Sequence, residues 1–216
     1  EEARVILIGN FRYNRVDGAT PVAGVAFKRE PDPEPLVYAE AAYAIARERW
    51  LGAAGFETPI GDPVRFRLGA DIYRRTASED VWIVGESENT LFALFARTDY
   101  RDYYEAEGVA GRAIWEPGRD AWLELHAGVE EHRSLAALAR ARTRVSLGGN
   151  DRFRDNPTVD DGTEGLLRVS ARAGPRVLPK TGGSRATLRY ARAGGPMGRD
   201  FDHGRRRATL HGSRWL

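Results

Sequence analysis

The chain of 216 residues has no cysteine, one methionine and only two lysines, Lys28 and Lys180. Without thiols there is no disulfide framework, no thiolate metal site and no cysteine nucleophile. The absence suits an oxidising compartment. Long apolar runs are missing too: the longest, counting glycine, is residues 50–56. A membrane-spanning helix needs roughly 20 such residues, so a helical membrane protein is excluded. A membrane β-barrel is not, because only alternate residues of its strands meet lipid. No signal peptide is visible ahead of Glu1-Glu2, and the chain is expected to be a mature form or a fragment. Gly148-Gly149-Asn150 and Gly182-Gly183 fall in loops, and neither forms a phosphate cradle between a strand and a helix.

What is present reads as β-structure. Apolar residues make up 42% of the chain, enough for a folded domain rather than wholesale disorder. The 24 glycines and 11 prolines cluster between short segments, as turns do. Those segments carry the two-residue period of strands. In residues 64–75, Val64, Phe66, Leu68, Ala70 and Ile72 oppose Arg65, Arg67, Gly69, Asp71 and Tyr73. In 122–133, Leu123, Leu125, Ala127 and Val129 oppose Glu124, His126, Gly128, Glu130 and His132. Residues 163–173 and 184–193 repeat the pattern. Weaker alternation covers 3–13, 21–29, 36–46, 50–57 and 104–115, and 201–216 closes the series.

The expectation is nine or ten strands of about 9–12 residues, longer than the usual five or six. That length matches the roughly 9–11 residues with which a tilted strand crosses a bilayer. The fold class expected is all-β: one domain, residues 1–216, forming an antiparallel up-and-down transmembrane β-barrel or part of a larger one. Ten strands could close a small barrel; nine could not under the even-number rule. The long connections 76–103 and 134–162 fall at one end of such a sheet. One helical segment is expected in the first of them. Ser78 caps it, Glu79 and Asp80 favour its first turn, Gly85 breaks it, and Val81, Trp82, Leu91, Phe92, Leu94 and Phe95 give it apolar surface.

Alternation by itself does not say which face is wet. The apolar faces hold mainly Ala, Val, Leu and Gly, thin filling for a close-packed interior, so the apolar side is assigned to lipid. Arg65, Arg67, Asp71, Glu124, His126, Glu130, Arg168, Arg172 and Arg189 then line a lumen. Trp50, Tyr100, Tyr103, Trp115 and Trp122 become membrane-interface aromatics. The competing reading is a soluble or secreted β-sandwich or barrel that binds a small ligand or carbohydrate.

Charge is uneven. Residues 165–216 carry eleven Arg and Lys180 against Asp200 and Asp202. The alternatives are an anion-attracting lumen, contact with lipopolysaccharide phosphates, or a solvated strand face balanced by acids elsewhere. Nucleic-acid binding is not expected, since these arginines are spread over three strands without a recognisable motif. His126 and His132 lie about 20 Å apart at strand rise and cannot share an ion; His203 and His211 fail likewise. Glu130 with His132 would need further ligands. Asp202-His203 is half of a hydrolytic dyad with no serine or second acid beside it. No metal, cofactor or catalytic residue is expected.

Several strings carry a family resemblance. Arg12-Tyr13-Asn14-Arg15-Val16-Asp17-Gly18 resembles an opening segment of barrels in the bacterial surface-antigen superfamily, which includes assembly insertases and two-partner-secretion transporters. Ser87-Glu88-Asn89-Thr90-Leu91, Asp99-Tyr100-Arg101-Asp102-Tyr103-Tyr104, Arg152-Phe153-Arg154-Asp155-Asn156-Pro157 and Gly198-Arg199-Asp200-Phe201-Asp202 are similar to later segments of uncharacterised members. The resemblance implies a Gram-negative outer-membrane barrel in contact with lipid and lipopolysaccharide, with a passive transport, assembly or structural role. Polypeptide substrates or periplasmic modules are the partners it implies. The Val-Arg-Gly-Phe-like string of transport-competent members has no counterpart here, and no catalytic residues carry over.

Overall fold

The computed structural model of the chain describes residues 3–29, 36–61, 66–118, 120–139, 152–174, 183–193 and 203–213. Ten strands follow one another: β1 (Ala3–Asn14), β2 (Gly18–Arg29), β3 (Leu36–Ala44), β4 (Arg49–Ile60), β5 (Phe66–Ala77), β6 (Tyr104–Gly118), β7 (Ala121–Ser134), β8 (Gly162–Ala173), β9 (Gly183–Ala193) and β10 (His203–Ser213). Each pairs antiparallel with its sequence neighbour, giving one ten-stranded up-and-down sheet in chain order. Among the described residues no pairing joins β1 to β10.

Up-and-down order sorts the connections. Of the described residues between strands, 15–17, 45–48, 78–103, 135–139 and 152–161 lie at one end, and Gly61 and Asp120 lie at the other. The β3–β4 joint is tight because Glu48 takes a left-handed conformation, φ 52°. The segment 78–103 is helical in three pieces: a 3-10 turn, Glu79–Trp82; α1, Glu86–Leu91; and a π turn, Phe92–Ala96. Ser78 caps the first, accepting from the Asp80 N–H, and Gly85 sits at the N-cap of α1, both as the sequence predicts. The packed side differs from expectation. Val81, Leu91, Phe92 and Phe95 are exposed, while Asn89, Thr90 and Ala93 are buried. This segment docks through polar groups.

Register decides which residues share a face, since directly opposed partners point the same way. Arg67, Gly69, Asp71, Tyr73 and Arg75 of β5 stand opposite Ile114, Arg112, Ala110, Gly108 and Ala106 of β6. These oppose Glu124, His126, Gly128, Glu130 and His132 of β7, and the row passes on to Ser170, Arg168 and Glu164 of β8. The alternate rows hold Ile72–Val109–Val129, Leu68–Ala113–Leu125–Val169 and Phe66–Trp115–Leu123–Ala171.

Curvature separates the two faces. A Cβ on Gly128 would stand 2.7 Å from the Val109 carbonyl oxygen and 2.9 Å from the Ala110 Cβ; one on Gly55 would stand 2.8 Å from the Ala70 carbonyl oxygen. Both glycines lie on the polar face. Side chains converge on the concave side of a bent sheet, so glycine there permits the bend. Gly52 of the apolar face is as tight, 2.8 Å from the Glu40 carbonyl oxygen, but the buried clusters all lie on the polar side, and the polar face is concave. The apolar face is convex and uncovered: Phe66, Leu68 and Leu125 are 48%, 43% and 44% exposed. Buried apolar clusters are small, Val22–Ala42–Ala44–Leu51 and Tyr73–Ala106–Ala110, and both sit on the concave side.

Candidate functional site: a polar cleft under the long-loop end

A cleft of about 930 Å³ occupies the loop-end half of the concave face. Its floor comes from β3 and from β5 to β8, its rim from β1, segment 78–103 and Val159 with Asp160. Strand alternation delivers Asp71, Tyr73, Arg75, Glu130, His132 and Glu164 into it from β5, β7 and β8.

The densest contacts centre on Glu130. The Tyr73 hydroxyl donates to Glu130 Oε2 at 2.5 Å. His132 Nε2 lies 2.6 Å from Glu130 Oε1 and 3.4 Å from Glu164 Oε2. Arg75 reaches Glu130 at 3.7 Å and lies over the Tyr73 ring, 4.2 Å from its centroid. The group is an ion cluster knitted across β5, β7 and β8. Among the described residues no set of three or more His, Asp or Glu side chains could hold a metal ion.

Towards the short-turn end, Glu57 accepts from Arg67 at 3.0 Å and pairs with Arg112 at 3.0 Å. Arg67 also pairs with Glu116 at 3.1 Å. On β8 the pattern changes. Arg168 and Arg172 have no carboxylate within 4.0 Å among the described residues; Arg172 lies 5.9 Å over the Trp122 ring.

The rim is a second cluster, built on the β1–β2 turn. Arg15 is fully buried. Its guanidinium donates to the Asp99 carbonyl (3.1 Å), Asp102 Oδ1 (2.6 Å) and Asn156 Oδ1 (2.9 Å), and its backbone N–H to Asp99 Oδ2 (2.8 Å). Asn89 donates to Asp99 Oδ1 and to the Tyr103 hydroxyl, both at 2.9 Å, and Tyr103 donates to Asp99 Oδ1 at 3.0 Å. Asn156 donates to the carbonyls of Tyr103 and Leu135, each at 2.7 Å. The Tyr13 N–H, on the edge strand, donates to Thr90 Oγ1 at 3.3 Å. Burial, and then the Asp99 carboxylate, push the Tyr103 phenol well above the ordinary tyrosine range.

Of the residues expected to line a lumen, Asp71, His126, Glu130 and Arg168 line the cleft. Arg67, Glu124 and Arg172 share their face nearer the short-turn end. Arg189 holds the register position opposite Ser170; its side chain, like the whole of Arg65, lies outside the described residues. Tyr73, Arg112 and Glu164 belong to the cleft without having been singled out. Tyr73 and Glu164 keep step with Asp71 and Arg168, so the period already pointed to them. Arg112 was hidden in the Gly- and Ala-rich β6.

The aromatics divide. Trp50 and Trp115 are exposed on the convex face, and Trp115 stacks on Phe66 with centroids 6.0 Å apart. Tyr100 is exposed in segment 78–103. Two placements correct the expectation. Tyr103 is buried, because its hydroxyl is held inside the Asp99–Asn89 network. Trp122 opposes Arg172 and so shares the concave face with Glu124, not the convex face with Trp115.

Comparison of the chain with protein-family models, with curated proteins and with solved structures finds no match.

Proposed function

We propose that this sheet is a Gram-negative outer-membrane β-barrel, or part of one, with a passive transport, assembly or structural role. The observation that carries the reading is the pairing of curvature with polarity. Charged rows occupy the concave side, and large apolar residues stand uncovered on the convex side. A soluble sandwich buries the apolar face of each sheet, whereas a membrane barrel turns it to lipid and wets its interior.

Dimensions agree. On the convex face, ten residue steps separate Trp50 from Ile60, which stands beside Phe66 and Trp115. At about 3.3 Å per residue and a tilt of roughly 40°, that is about 25 Å, the height of the apolar band of such barrels. The alternate residues of β4 between them, Gly52, Ala54, Phe56 and Thr58, are uncharged. Two positions inside Trp50, at the level of Gly52, Arg74 and Glu107 pair across β5 and β6 at 2.7 Å, so on those strands the uncharged band is eight steps, about 20 Å.

Membership of the surface-antigen superfamily is part of the proposal. It is supported by the meeting of four resembling strings at one place: Arg15, Asn89, Asp99 with Tyr103, and Asn156 come from separate motifs and share one buried network. The fifth string, around Asp200, lies outside the described residues. Outer-membrane lipid and lipopolysaccharide are the partners of the convex face and rim. Polypeptides or periplasmic modules remain the partner class that the resemblance implies.

Trp115 and Trp122 test the assignment. In vesicles containing brominated lipid, a variant keeping only Trp115 is expected to be quenched strongly, and one keeping only Trp122 weakly. Equal quenching, or a chain that stays monodisperse without detergent and ignores vesicles, would sink the reading in favour of a soluble binding module.

A further inference from the structure

The charged side chains on the floor of the cleft are mostly paired with one another. Glu130 and Glu164 share His132, Arg75 lies against Glu130, and Arg112 pairs with Glu57. Two opposite charges remain. Asp71 on β5 and Arg168 on β8 both line the cleft, and neither has a hydrogen bond or an ion pair among the described residues. His126 stands directly opposite Arg168, and its Nδ1 is buried without a hydrogen-bond partner.

The two ends differ in their surroundings. Tyr38, Gly55 and Asp71 share one row, and the Tyr38 ring leans over Gly55, its Cε1 2.8 Å from where a Cβ would stand. The glycine thus admits an aromatic ring beside the Asp71 carboxylate. That pair suits an ammonium group, through a charge-assisted hydrogen bond and cation–π attraction. Arg168 with His126 suits an oxyanion, which meets the guanidinium fork and supplies the acceptor that the imidazole lacks. The row of Asp71 continues through Ala110 and Gly128, so it places no charge between the two ends. Arg112 leans away, over Gly69 towards Glu57. Three strand spacings of about 4.8 Å and two residue rises of about 3.3 Å put the two backbones about 16 Å apart. The reach of the arginine and the concave bend shorten the gap between the charges. A linear ligand of about 10 Å, three residues of extended chain, spans it.

We propose that the cleft binds a small dipolar ligand end to end, its ammonium at Asp71 and Tyr38 and its oxyanion at Arg168 and His126. Carboxylate and phosphate are the oxyanion chemistries that fit. The inference rests on the barrel reading for a wetted interior, but its test needs no membrane.

The full chain, folded in detergent micelles and checked by circular dichroism, is titrated calorimetrically with tri-alanine and separately with an aminoalkyl phosphate of similar length. Saturable, salt-sensitive binding of at least one is expected, and the tighter one names the oxyanion. N-acetylation or C-terminal amidation of tri-alanine should each weaken its binding at least tenfold. Asp71→Asn should bring the free peptide down to the level of the N-acetyl form, and Arg168→Gln down to the level of the amide. That crossed pattern separates a lost end contact from a lost fold. Arg74→Gln, on the convex face, should leave binding within about twofold. No saturable binding of either dipolar probe to the folded chain, or blocked peptides that bind as well as the free one, would overturn the site. Because the assay is in micelles, failure here leaves the brominated-lipid result standing, and failure of that result leaves this binding measurable.

Discussion

Arg15 donates to the Asn156 side-chain oxygen at 2.9 Å across 141 positions of sequence. The bond ties the β1–β2 turn to the loop that precedes β8, and Asn156 in turn holds the Tyr103 backbone through its N–H and its carbonyl. The long loops are thereby fastened to the first hairpin. Stripping one partner from a buried charged network leaves the other uncompensated, at about 3–5 kcal/mol.

Arg15→Met is expected to lower unfolding stability by about that amount, because Asp99 loses its buried cation. Asn156→Ala should lower it by about 1–3 kcal/mol. The two share partners, so their effects should not add. Urea unfolding of both variants and of the double variant checks this; strict additivity would mean that the rim is not one unit.

Tyr103 gives the rim an alkaline weakness. Its phenol is raised in the folded state, so the folded chain holds that proton more tightly than the unfolded chain. The contribution is fully present below the ordinary tyrosine value near 10 and is lost as pH rises through the raised folded value. Tyrosinate absorbance should show a tyrosine that ionises only together with unfolding. Tyr103→Phe should take one tyrosine out of that delayed component and flatten the loss of stability at high pH.

Gly128→Val tests the bend. Its side chain would meet the Val109 carbonyl oxygen and the Ala110 Cβ on the concave side. Overpacking of this kind costs about 1–3 kcal/mol. The variant should lose the compact, heat-modifiable form on a gel, while Gly118→Ala, whose Cβ would have open space, should keep it.

Leu125 and His126 are neighbours that face opposite ways. Arginine at Leu125 should destabilise a membrane-inserted barrel by about 2–4 kcal/mol if that row lies near mid-bilayer. Glutamate at His126 should be tolerated, since it would stand between Arg112 and Arg168 in a charged row. Refolding yield into vesicles across a urea series checks both. Equal effects would contradict the assignment of faces.

The sequence by itself determined the strands, their order and the position of the long connections. Period two is a local property, and Gly, Pro and Asp clusters end each run where the chain must turn. It also placed Trp122 with Glu124, two steps away on the same strand, although its position beside a turn suggested an interface ring. The tertiary structure alone decided which face is concave. That depends on glycines such as Gly55 and Gly128, whose missing side chains matter only once a neighbouring strand is in register. It alone buried Tyr103, turned the polar side of α1 inward, and gathered Arg15, Asn89, Asp99 and Asn156. These residues are distant in sequence, and no local pattern encodes a hydrogen bond between them. Only antiparallel pairing, strand by strand, brings their loops to one rim.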